Sequence, residues 1–135
     1  MRIIIFLLIF IPVKIPAQDL AYKNKIANAI MEHESYFGKY LVNKQDTASK
    51  GYFQMRHCYV QEVNNILGYE AFKDTDRFDY HKSVLMFFYY NNFFFPDWDY
   101  RTISIVHAAG FVALKKPSPK ALQYWADIQK IINRK

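Results

Sequence analysis

Cysteine occurs once in this chain, at Cys58. No internal disulfide can frame the fold, and no Cys/His set has zinc-finger spacing. Glycine and proline are scarce, with 4 and 5 residues in 135, which argues against a turn-rich sandwich. The length suits one domain and excludes barrels of eight βα units and dinucleotide folds of the usual size. Internal repeats and low-complexity linkers are lacking, as are a Gly-rich phosphate loop and a Gly-x-Ser-x-Gly elbow. There is no basic stripe interleaved with aromatics and no base-reading module, so nucleic acid is not an expected partner. Apolar residues, in contrast, are plentiful: 52% hydrophobic, with 12 Phe, 11 Tyr and 2 Trp. That is ample material for a core and excludes a disordered chain.

The amino terminus reads MRIIIFLLIFIPVKIPAQ. Arg2 is a short basic segment, Ile3 to Ile11 is unbroken and apolar, and Pro12 and Pro16 close it. Ala17 is a small residue suited to a cleavage site. This is a secretory signal pattern over residues 1–18, and it predicts export to a periplasmic or extracellular location. The run is too short for a comfortable membrane span of about 20 apolar residues, and Lys14 interrupts it. Removal would take two positive charges from the formal +6, leaving a mildly basic domain suited to anionic surfaces such as cell-wall polymers or lipid headgroups.

Apolar spacing in the mature part, 19–135, is mostly helical. Leu20 to Glu34 is the first expected helix, with Ile26, Ala27, Ile30, Met31 and Glu34 on one face and Gly38 available to end it. Val42 to Lys50 is polar and reads as a loop or short hairpin. A second helix is expected from Cys58 to Leu67, with Val60, Val63 and Leu67 facing inward and Gly68 as a stop. Asp74 to Asp79 reads as loop. Asp79 is a cap for a third helix from Tyr80 to about Phe93; Pro96 blocks its continuation. Asp97 or Asp99 caps a fourth, which Gly110 stops after Ala109. Ser118 and Pro119 open a last helix to Ile132, with Leu122, Trp125, Ile128 and Ile132 as its buried stripe. The expected fold is mostly α: one domain of about five helices with an irregular loop or small hairpin lobe.

Glu34 is the candidate for chemistry. The Ile26–Ile30–Glu34 spacing puts its carboxyl on the apolar face near a helix end. Partial burial disfavours the ionised form of a carboxyl, and the protonated form is what a general acid needs. Glu32 lies about 200° around the same helix and reads as solvated. Cys58 reads as a buried, inert thiol. His33, His57, His81 and His107 lack metal-ligand spacing with acids, so no metal is expected, and no cofactor either. Lys115 and Lys116 read as a solvated helix end, and the Phe87–Tyr90 and Phe93–Phe95 cluster as core helix and cleft wall, with an exposed sugar-stacking or membrane patch as the alternative.

Glu34-Ser35, a polar loop, and then Gly51-Tyr52-Phe53-Gln54-Met55 together resemble lytic transglycosylases and goose-type lysozymes. That family pairs Glu-Ser at a helix end with a downstream Gly-x-x-Gln-apolar segment. The likeness continues through Tyr59–Ile66, through Asp79–Val84 with Tyr90, through His107-Ala108-Ala109-Gly110, and through Ala121–Trp125. It spans nearly the whole mature chain in order, most closely resembling a small exported bacterial branch.

The resemblance implies a lysozyme-like fold and peptidoglycan glycan strands as substrate. It implies Glu34 as catalytic acid and Ser35, Gln54, Tyr90 and His107 as substrate-binding residues. It implies cleavage between N-acetylmuramic acid and N-acetylglucosamine with no second carboxylate, by a monomer that keeps no membrane span once the signal is removed. Two alternatives stay open. One is a hydrolytic lysozyme, for which Asp46 is the only acid between Glu34 and Gln54. The other is a weakened cell-wall-binding protein, because Ala108 stands where the family has Asn.

Overall fold

The computed structural model describes residues 17–134. The signal pattern therefore lies outside the described residues except for its last two positions. Five helices form the frame: α1 (Ala17–Ser35), α2 (His57–Leu67), α3 (Tyr80–Phe94), α4 (Tyr100–Ala109) and α5 (Pro119–Ile132). Two 3-10 turns, Asp74–Phe78 and Phe111–Leu114, complete the order. The fold is mostly α, as the sequence predicts. The first turn corrects the expectation of plain loop between Asp74 and Asp79.

Local chemistry explains most helix ends. Asp79 accepts from the Lys82 backbone N–H and caps α3, Asp99 accepts from Thr102 N–H and caps α4, and Ser118 accepts from Ala121 N–H ahead of Pro119. Each satisfies a helix N–H that would otherwise lack a partner. Gly68 turns left-handed at φ +79° and closes α2.

The core gathers Ile26, Ile30 and Met31 of α1, Phe53 of the lobe, Val63 of α2, Phe87 of α3, Ile103 of α4 and Ile128 of α5. α5 packs against both α1 and α4, while α2 pairs with α3. Two inward assignments from the sequence are corrected. Cys58 is exposed, because it stands about 200° from Val60, and Val60 with Val63 sets the buried side. Leu122 is exposed as well, since Ala121 and Ile128 set the inner face of α5.

Between α1 and α2 the chain forms an irregular lobe. Single antiparallel bridges join Val42 to Lys50 and Lys50 to Met55, and no longer strand forms among the described residues. The lobe begins with three successive left-handed residues, Tyr36, Phe37 and Gly38, at φ +53°, +56° and +86°. Left-handed geometry costs a non-glycine residue about 1–2 kcal/mol, and Ser35 offsets it. Its buried Oγ accepts from Gly38 N–H at 2.9 Å and donates to the Tyr52 carbonyl at 2.7 Å.

Arg77 fastens the far side. Its buried guanidinium donates to the Met55 carbonyl at 2.7 Å, to the Ala48 carbonyl at 3.1 Å, and to Asp74. The Arg77 carbonyl in turn passes close over Gly51. A Cβ at Gly51 would stand 1.9 Å from that oxygen, whereas a Cβ at Gly68 meets nothing within 4 Å. Gly51→Ala is expected to cost several kcal/mol, because it adds a backbone clash to the left-handed penalty; Gly68→Ala is expected to cost only the penalty, about 1–2 kcal/mol. Urea unfolding of the two variants beside wild type checks the order.

Candidate active site

Glu34 sits in the last turn of α1, where α4, α5 and the lobe meet it. The helical spacing that buries Ile26 and Ile30 carries its carboxyl to the edge of the core, with the side chain 19% exposed. Tyr124 of α5 donates its hydroxyl to Glu34 Oε1 at 2.6 Å. Burial first, and then the charge and hydrogen bond of Glu34, push the Tyr124 phenol well above its usual value. The phenol therefore keeps its proton and acts on Glu34 only as a donor. With Oε1 occupied and no hydrogen bond to Oε2 among the described residues, a proton carried by Glu34 belongs on Oε2.

His107 of α4 completes the setting. Its Nε2 lies 2.9 Å from the Phe53 carbonyl and 3.6 Å from Glu34 Oε1, and its side chain is 8% exposed. A carbonyl only accepts, so Nε2 carries the hydrogen and Nδ1 is the free acceptor in the neutral ring. The ring cannot draw a proton from Glu34 through Nε2. It ties α4 to the lobe backbone and presents an N–H edge toward the carboxylate.

An aromatic row leads away from this point. Tyr59 meets His107 edge-on with centroids 6.4 Å apart and stacks on Tyr90 at 4.2 Å. The Tyr59 hydroxyl is buried without a partner. Burial, then Glu62 and Cys58, push the Tyr90 phenol up to about 12.

The residues singled out from the sequence fall into two groups. Glu34 and His107 are brought together. Tyr90 stands one ring further off, behind Tyr59, and no contact joins it to Glu34 among the described residues. Gln54 differs from the sugar contact that the resemblance implies, because its amide is buried in the lobe's own bonding, and so is Ser35, whose match in the family positions either Glu or substrate. The Gln54 amide N–H groups reach the carbonyls of Gly51 at 2.8 Å, Tyr40 at 3.2 Å and Leu41 at 3.4 Å. Three acceptors fix the direction of that amide; its Oε1 is buried without a partner. Gln54 itself is left-handed, at φ +48°. Ser35 and Gln54 thus shape the segment beside Glu34 from within.

Asp46 is also spoken for. Its carboxylate accepts from Ala48 N–H, Ser49 Oγ and Arg56, at 3.1, 2.8 and 2.9 Å. The Ser49 hydroxyl, then Arg56, hold it below the usual carboxylate range. It staples its own loop.

Tyr124 is the site residue that the sequence reading missed. A signal for it exists: it lies three residues after buried Ala121 and four before buried Ile128, and a tyrosine near a buried stripe needs a hydroxyl partner. No protein-family model, curated protein or solved structure matches the chain.

A tyrosine whose pKa is raised by folding lends stability that is fully present below its unfolded value, near 10, and lost as pH climbs beyond it. Tyr124→Phe is therefore expected to lower stability by about 1–3 kcal/mol at neutral pH, through the lost bond to Glu34. The same variant should lose less than wild type does as pH rises above 10. Chemical denaturation at a series of pH values checks both.

Proposed function

We propose that the protein is an exported peptidoglycan lytic transglycosylase that uses Glu34 as its single acid and base. The observation that carries this reading is the seating of Glu34: a carboxyl at the core's edge, one oxygen fixed by a tyrosine that stays protonated at neutral pH, the other free for the reaction. Such a group can hold a proton at a defined atom and hand it over. The resemblance in sequence order, from Glu34-Ser35 through Gly51–Met55 to the closing helix, supplies the substrate class. The signal pattern over residues 1–18 suits a substrate outside the cytoplasmic membrane.

In this mechanism Glu34 Oε2–H protonates the oxygen linking N-acetylmuramic acid to N-acetylglucosamine, and the bond from the muramyl C1 to that oxygen breaks. The carboxylate then takes the proton of the muramyl C6 hydroxyl, whose oxygen closes on C1 to form the 1,6-anhydro ring. Glu34 ends protonated, ready for another turnover. Tyr124 holds the carboxyl in one rotamer throughout, and the nearby His107 N–H steadies its charge while the proton is away. No water is consumed, so no second carboxylate is needed. The full engagement of Asp46 by Ala48, Ser49 and Arg56 favours this route over hydrolysis.

Glu34→Gln keeps size and polarity but cannot donate and recover a proton. It is expected to slow release of soluble fragments from purified sacculi by about 10²–10⁴-fold, with the thermal unfolding curve retained. Digestion of sacculi by the two proteins, with sedimentation to score binding, checks it. Wild-type rates in the variant, or sacculus binding by wild type with no release at all, would remove the assignment.

A further inference from the structure

We propose that the Phe111–Leu114 turn and the neighbouring Phe93 form an apolar wedge that docks the protein on an anionic lipid bilayer. Val112 is 82% exposed and Phe93 61%, and Phe111 and Leu114 are also exposed. They make one patch rather than scattered side chains: Phe93 packs on Phe94 at 4.9 Å, and Phe94 on Phe111 at 5.1 Å. Within the turn Ala113 faces inward to Ile105 and Ala121 and Phe111 stacks on Phe95 at 5.6 Å, whereas Val112 and Leu114 are left exposed. Gly110 precedes the turn at φ +77°, and a Cβ added to it would meet nothing within 4 Å.

Charge decides what covers the patch. Exposed Lys115 and Lys116 follow the turn directly, and every charged residue from Tyr100 to Ala126 is a cation, with no Asp or Glu. From Ser83 to Pro96 there is no charged residue at all. An apolar tip followed directly by two exposed lysines complements anionic headgroups over acyl chains. Among the described residues no helix is long and apolar enough to cross a membrane, so the attachment here is peripheral. None of this involves Glu34, so it stands or falls separately from the activity.

The test is co-sedimentation of the full chain with vesicles of phosphatidylcholine alone, or of phosphatidylcholine and phosphatidylglycerol in equal amounts. Every variant carries the same amino-terminal segment, 1–18, so differences between variants report on the patch. Wild type is expected to favour the anionic vesicles and to be released by salt. Substituting both Lys115→Gln and Lys116→Gln is expected to weaken that binding about twenty-five-fold, at about fivefold per charge. Val112→Asp, at a site that packs on little, is expected to weaken binding to both vesicle types about fivefold or more. Vesicle binding unchanged in both variants would overturn the proposal. So would a wild-type dimer in sedimentation equilibrium that Val112→Asp dissolves without any vesicle binding, because a second copy would then be the occupant.

Discussion

A carboxyl at the edge of a core needs a hydrogen-bond partner, and the hydroxyl of Tyr124 donates to Glu34. That one bond crosses 90 residues of chain and joins the first helix to the last. It also ranks the roles of the two groups. The phenol is buried and pushed well above its usual value, so it never competes for the proton that Glu34 would carry. His107 adds a second donor edge at longer range and fastens α4 to the Phe53 carbonyl. Three helices and the lobe are thus held in register by the polar groups that surround one side chain.

The lobe depends on two buried polar anchors of its own. Ser35, next to Glu34 in the chain, links the end of α1 to the Tyr52 carbonyl, so the segment running to Gln54 cannot drift from the carboxyl. Arg77 grips the lobe from the opposite side through the Ala48 and Met55 carbonyls. With so little regular pairing, backbone carbonyls in the lobe find partners in buried side chains. Gly51 belongs to the same arrangement, since only a residue without Cβ lets the Arg77 backbone approach.

Local signals in the sequence were readable and non-local ones were not. Asp79, Ser118 and Gly68 act within a few residues of themselves, and their caps follow from residue type alone. The Ile26–Ile30–Glu34 spacing places Glu34 on the inner edge because helical periodicity is fixed. Tyr124 escaped notice because its partner lies at the other end of the chain. Ser35 and Gln54 were legible as residues of a motif but not in their geometry: the chain is left-handed at Tyr36, Phe37 and Gln54, and nothing in residue type forecasts such φ values. Cys58 illustrates a general preference losing to position, since the first turn of α2 faces water there.

The central claim is that one carboxyl, serving in turn as acid and base, does the chemistry without water. The mass of the fragments that wild-type protein releases from purified sacculi tests it most directly. Every new muramyl end is expected to be a 1,6-anhydro ring, one water lighter than a reducing end. New reducing ends instead would mean that water, and not the C6 hydroxyl, attacks the muramyl C1, and would contradict it.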